Sequence, residues 1–147
     1  MRKEQTFCTE IINSFEQKGI WAYKIPDMPR FKGQKTRFSI KKPFDIIVDY
    51  YSRFMAIECK FSRGFKAMNI SQFEKKNNNQ IDNLLQHNLC YIFLNIFIPR
   101  EINRLLIFDR EAIGDLVLKK RYTKKELEAW PKYIDGRQGL YYLSEFF

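Results

Sequence analysis

Hydrophobic positions along the chain switch between two rhythms. Over residues 3–18 they recur at helical spacing, with Phe7, Cys8, Ile11, Ile12 and Phe15 on one stripe, and Gly19 marks the end. The rhythm then shortens. "IWAYKIPD" (20–27) predicts a short strand. "PFDIIVDYYSRFMAIECKF" (43–61) predicts two more, over 44–51 and 53–62, joined by a tight turn near Ser52 and Arg53. "SQFE" at 71–74 has the form of a capping box. It predicts a helix to about residue 87 with Ile70, Phe73, Ile81, Leu84 and Leu85 on its buried face. "LCYIFLNIF" (89–97) is almost continuously apolar, as a central strand is, and "NRLLIFD" (103–109) reads as another strand. "DREAIGDLVL" predicts a short helix capped by Asp109, and "TKKELEAW" a second with a Thr123–Glu126 capping box. The closing "GLYYLSEFF" reads as an edge strand. This order predicts an α/β (α+β) fold: a mixed sheet with helices on its faces.

Length and charge narrow the picture. The 147 residues suit one domain around a single core, with a basic loop or arm at 28–43 and a C-terminal helical and strand extension at 109–147. Hydrophobic residues make up 45%, which argues against global disorder. The net charge of +9 favours an anionic partner, nucleic acid first among them. Six cations, Arg30, Lys32, Lys35, Arg37, Lys41 and Lys42, fall in the arm, with Phe31 and Phe38 between them. Cations for phosphates and aromatics for stacking suit branched or unpaired DNA. A second basic run, "LKKRYTKK" (118–125), reads as a helix-linking surface loop.

Other chemistries find little to work with. Cys8, Cys59 and Cys90 are widely spaced within apolar patterns, which describes reduced core thiols. With no CxxC pair and His87 as the single histidine, structural zinc and Ser-His-Asp catalysis are disfavoured. "MRKEQTFCTE" turns polar where a signal peptide is apolar, and "LCYIFLNIFIP" is too short to span a bilayer as a helix. These features predict a cytoplasmic protein with no membrane role.

The predicted strand pair carries Asp45, Glu58 and Lys60 in otherwise apolar surroundings. Alternation puts Glu58 and Lys60 on one face with Phe54 and Ala56, and Met55, Ile57, Cys59 and Phe61 on the other. A hairpin centred on Ser52 brings residue 45 opposite 59, so the three charges converge. A solvated cross-strand salt bridge would use the same residue types. In so apolar a hairpin of so basic a protein, chemistry is the favoured reading. Phosphodiester hydrolysis needs an attacking water, a countercharge for the transition state and help for the leaving oxygen. Two or three carboxylates can hold Mg²⁺ for this, and a lysine can orient the water or stabilise the transition state.

"PFD…ECK" resembles the PD-(D/E)xK nuclease superfamily. Asp45 matches the family's aspartate, Glu58 its second acid and Lys60 its lysine, although Phe44 separates Pro43 from the aspartate. In size and order of elements, residues 1 to about 100 are similar to RecU-type and Hjc-type Holliday junction resolvases. The resemblance implies a restriction-endonuclease-like αβββαβ core, a structure-selective DNA endonuclease using Mg²⁺ (Mn²⁺ substituting), and a homodimer acting on branched DNA. It also implies a glutamate on the first helix's inward stripe and a glutamine on the helix after the lysine. Gln80, seven residues after Phe73 and four before Leu84, matches the glutamine. Glu4 lies on the stripe of Phe7, Cys8, Ile11 and Phe15, whereas Glu10 falls well off its centre, so Glu4 is the favoured acid. The implied catalytic set is Asp45, Glu58, Lys60, Glu4 and Gln80, with Asp45, Glu58 and Glu4 as metal ligands. The arm looks like a shortened form of the RecU-type stalk. Two other readings stand beside this one: a nuclease of the same fold acting on linear duplex, and a non-catalytic basic nucleic-acid-binding module.

Overall fold

The computed structural model describes residues 2–26, 42–75 and 78–143, without the side chain of Lys75. Most of the predicted arm, with Arg30, Lys32, Lys35, Arg37 and Lys41, lies outside the described residues; Lys42 lies within them. In chain order the elements are α1 (Glu4–Glu16), β1 (Trp21–Lys24), β2 (Ile46–Tyr50), β3 (Arg53–Ser62) and β4 (Met68–Asn69). A 3-10 turn (Ile70–Phe73) follows, then β5 (Glu74–Lys75), β6 (Asn78–Asn79), α2 (Gln80–Leu85), β7 (Leu89–Ile98) and β8 (Ile102–Phe108). The chain continues through α3 (Arg110–Lys119), β9 (Arg121–Tyr122), α4 (Lys124–Glu128) and β10 (Tyr133–Asp135).

A mixed six-stranded sheet, ordered β1-β2-β3-β7-β8-β10, organises the α+β fold. All its neighbours pair antiparallel except β3 and β7, which run parallel with α2 in the connection between them. Each face carries its own apolar layer. On one, Phe7, Ile11 and Phe15 of α1 pack with Val48, Met55, Ile57 and Phe93. On the other, Phe73, Ile81 and Leu84 join Ile113 and Leu116 of α3 over Ala56, Ile92, Leu94 and Phe108. Burying each such large side chain contributes about 2 kcal/mol, so α1 is pinned by its stripe rather than by its ends. Its C-terminal end is still well made. Gly19 turns the chain at φ 72°, and the Ile20 N–H donates to the Phe15 carbonyl at 3.1 Å.

The turn between β2 and β3 positions the charged residues. Tyr51 and Ser52 both lie in the left-handed region, at φ 49° and 66°, so the hairpin closes with a two-residue turn. Asp49 Oδ1 accepts the Ser52 N–H at 3.1 Å. The turn centre falls between Tyr51 and Ser52, not on Ser52 as expected. Ile46 therefore faces Ile57, and Asp45 comes level with Glu58 rather than Cys59.

Two further expectations are corrected. The helix expected from Ser71 to about residue 87 is absent. The Ser71–Glu74 segment instead ends a 3-10 turn, β5 pairs with β6, and α2 starts only at Gln80. Asn78 and Asn79 explain the delay, because asparagine side chains compete for backbone groups and favour turns and caps. Asn79 caps α2, accepting the Asp82 N–H at 3.2 Å. Residues 139–143 of the closing segment, those described, form no edge strand either. The edge beyond β8 is β10, while Tyr141 turns inward, edge-on to Phe7 at 5.8 Å, and its N–H donates to Ser14 Oγ at 2.9 Å. Residues 144–147 of that segment lie outside the described residues. Asp109 and Thr123 cap α3 and α4 as expected, the second in a full capping box with Glu126. Among the described residues, no helix is long and apolar enough to cross a membrane.

Candidate active site

Glu58 and Lys60 sit on β3, which is flanked on both sides by other strands. Glu58 faces Ile92 and Lys60 faces Leu94 across the parallel pairing with β7. A charge there is hard to hydrate, and Glu58 is only 2% exposed. Asp45, 6% exposed, stands one residue before β2. Its backbone is fixed twice: its N–H donates to the Ile57 carbonyl at 3.1 Å and its carbonyl accepts from Ile25 N–H at 2.8 Å. Its carboxylate is held as well. Oδ2 accepts the Cys59 N–H at 2.8 Å, and Oδ1 pairs with Lys42 Nζ at 2.7 Å.

The electrostatics of Glu58 are unbalanced. Its Oε1 lies 3.8 Å from Lys60 Nζ, while Oε2 is buried with no hydrogen-bond partner among the described residues. Burial first, and the Asp45 charge second, push its carboxyl up to about 9, with Lys60 pulling the other way. Glu4 adds a smaller push in the same upward direction. The acid is therefore protonated at neutral pH. A buried polar atom left unpaired costs about 1–3 kcal/mol. A cation placed between Asp45 and Glu58 would satisfy that oxygen and reverse the shift.

Lys60 is aimed from the other side. Its Nζ donates to Gln80 Oε1 and to the Gln72 carbonyl, both at 3.3 Å, and lies 4.9 Å from the centre of the Phe73 ring. Gln80 is buried at the first position of α2, not midway along a longer helix. The two amide oxygens fix the ammonium without neutralising it. Asp45, Glu58, Gln80 and Glu4 line one cleft of about 480 Å³, with Lys3, Lys24 and Lys42 among its walls. Lys60 also lines an adjoining cleft of about 390 Å³, which has Arg63 and Lys66 on its walls.

All five expected catalytic residues thus meet in one neighbourhood. Glu4 is exposed at the first position of α1 and reaches the cleft from there. The expectation for Glu10 is corrected: it belongs to the buried side of α1 and forms an ion pair with Arg2. The chain near Gly139 and Tyr141 covers that flank of the helix, which the apolar stripe alone could not reveal. Arg2 also donates to Asn95 Oδ1 and to the Tyr141 hydroxyl, both at 3.1 Å, while Glu10 Oε2 is buried with no hydrogen-bond partner among the described residues. Sequence reasoning counted Lys42 as a DNA contact and missed its pairing with Asp45. The arm is so basic that no one lysine in it stands out.

The donor set suits a hard cation. Asp45, Glu58 and Glu4 offer carboxylate oxygens in the cleft, the ligands Mg²⁺ prefers. Among the described residues, the three-donor group whose ligand atoms all lie within 4.8 Å of one another is Cys8, Asp45 and Cys59, whereas the carboxylates of Asp45, Glu58 and Glu4 are spread more widely along the cleft. Soft-metal binding there would need thiolates, and burial together with Cys8 pushes the Cys59 thiol well up. Compared with known proteins, the chain matches no family model and no curated sequence.

Proposed function

We propose that the chain is a Mg²⁺-dependent DNA endonuclease of the PD-(D/E)xK kind, structure-selective and similar to Holliday junction resolvases. The observation that carries the reading is the buried Asp45–Glu58 pair, with Glu58 Oε2 unpartnered among the described residues and Lys60 held beside it. Such a pair is costly in isolation, and a divalent cation relieves it. The order of α1, three antiparallel strands, α2 and a parallel strand supports the restriction-endonuclease-like core.

In this reading Asp45, Glu58 and Glu4 would hold Mg²⁺. Once bound, the ion supplies positive charge against the crowded phosphate and acidity for the attacking water. The chain's own residues do the rest. Asp45 is kept in place by the Cys59 N–H, so its carboxylate needs no reordering. Lys60, steered by Gln80 and the Gln72 carbonyl, orients the water or meets charge developing on the phosphate. Lys3 and Lys24 supply countercharge for neighbouring phosphates. Lys24 and Lys42, described residues on either side of most of the arm in sequence, both line the cleft. That placement supports DNA contacts by the arm.

A branched substrate with two symmetry-related strands implies a homodimer. The test is cleavage in Mg²⁺ of a four-way junction beside its linear arms, with sedimentation of the protein. Wild type should cut the junction in preference and sediment as a dimer. Asp45→Asn and Lys60→Met should each lose at least about a hundredfold in rate while keeping DNA affinity. Wild-type turnover in either variant refutes the site. A monomer that cuts both substrates equally leaves a linear-duplex nuclease in place of a resolvase.

A further inference from the structure

The ion pair between Lys42 and Asp45 occupies ground that a metal needs. Asp45 Oδ2 is taken by the Cys59 N–H, whose position is set by β3. Oδ1 faces Lys42 Nζ at 2.7 Å, and the Lys42 side chain is only 18% exposed. A divalent ion on that oxygen would stand against the ammonium, and two cations repel strongly at such range where water is scarce. One of them must leave.

The chain around Lys42 lets its side chain leave without its backbone. Asn78 Nδ2 donates to the Lys42 carbonyl at 3.1 Å, and Asn83 Nδ2 to the Pro43 carbonyl at 3.3 Å. Both donors come from the β6–α2 segment, which also carries Gln80. The main chain is thereby tethered beside the cleft, while the four-carbon stem of the lysine can swing about that anchor. An ammonium displaced from Asp45 can pair with a phosphate of the bound strand.

We infer that Lys42 is an exchangeable counter-ion: it neutralises Asp45 in the metal-free protein, yields Oδ1 to the divalent cation, and is handed to a substrate phosphate. The inference rests on the nuclease reading. It makes lysine and metal competitors when DNA is absent. It also makes the Lys42–phosphate contact conditional on metal. Lys42 is thus a positioning residue that ties DNA grip to metal loading. A lysine that served only as a fixed structural partner of Asp45, or only as a surface phosphate contact, would show neither property.

The experiment compares wild type with Lys42→Met and Lys42→Arg. Mn²⁺ is titrated into DNA-free protein by calorimetry. Lys42→Met should bind Mn²⁺ more tightly, on the order of tenfold, because the competing cation is gone. Lys42→Arg should bind it several-fold more weakly, because a guanidinium holds a carboxylate through two donors. The salt dependence of junction binding is then measured in Ca²⁺ and in EDTA. In Ca²⁺ the log–log slope of Lys42→Met should be shallower than wild type by about 0.9, and in EDTA the two should coincide. If Lys42→Met does not fold, the comparison of Lys42→Arg with wild type decides the same point. Unchanged Mn²⁺ affinity in the folded variants, or a slope difference that persists in EDTA, overturns the exchange and leaves the nuclease reading standing. A wild-type protein that binds no Mn²⁺ overturns both.

Discussion

Replacing Glu58 with Gln should change how stability depends on pH, and the size of the change follows from its burial. Glu58 titrates at 4.5 in an unfolded chain and at about 9 in the fold. Between those values the folded state holds one proton that the unfolded state has released. Stability of the wild type should therefore fall as pH rises through this window, by about 1.4 kcal/mol per pH unit from this group alone. Gln cannot titrate, so Glu58→Gln lacks that slope. From about pH 5 to about pH 8, the variant should gain on the order of 4 kcal/mol relative to wild type. A fixed packing difference shifts the two curves apart equally at every pH, so the slope is the readout. The assay is urea unfolding in EDTA at several pH values, with midpoints compared at constant m. Relaxation of the fold or entry of water would narrow the window without reversing the sign. Mg²⁺ at about pH 8 should reverse the ranking, because it stabilises only a protein that can bind it. Parallel pH profiles for wild type and variant would refute the claim that the fold holds a protonated Glu58.

Two more substitutions probe the neighbouring structure. Glu4→Gln should slow cleavage by at least about tenfold with little effect on unfolding, since Glu4 is exposed at the cleft. Glu10→Gln should leave cleavage largely intact but cost about 1–3 kcal/mol in urea unfolding, because Arg2 loses the carboxylate that balances its charge in a partly buried place; the opposite pattern would exchange their roles. Ser52→Gly should raise stability by about 0.5–1 kcal/mol, because Ser52 sits at φ 66° where glycine carries no penalty. A lower urea midpoint would show that the Ser52 N–H bond to Asp49 needs serine's backbone bias.

The parts of the fold legible in the sequence are those set by local rules. Alternation in β3 put Glu58 and Lys60 on one face, and both turn toward the α2 side with Ala56. The caps at Asp109 and Thr123 were readable because their partners lie within three residues. Failures came where distant chain decides. The β5–β6 pairing is the exception: Asn78 and Asn79 are local turn and cap signals, which the capping-box pattern at Ser71–Glu74 obscured. The three residues of β10 are too short to show a period, and they become a strand only beside Leu105. Glu10 is buried because the chain near Tyr141 folds over it, a contact spanning nearly the whole sequence. The pairing of Lys42 with Asp45 lay in plain view at i,i+3, but outside a helix that spacing predicts no contact.

The parallel partnership of β3 and β7 bears on the time before the fold is complete. β3 meets β2 through a two-residue turn, so that hairpin forms from local contacts. Its other partner must bring Leu89 beside Met55 after the whole connecting segment has been made, which is a slow closure. Until then β3 is an open edge ten residues long, rich in apolar side chains and able to template the same strand of another molecule. Glu58 and Lys60 interrupt that edge with charges on one face. Two copies pairing there in parallel register would set Glu58 against Glu58 and Lys60 against Lys60. The residues proposed for cleavage therefore also guard the nascent sheet against self-association. A variant that replaces both with leucine should aggregate on refolding, even where its finished fold would be the more stable.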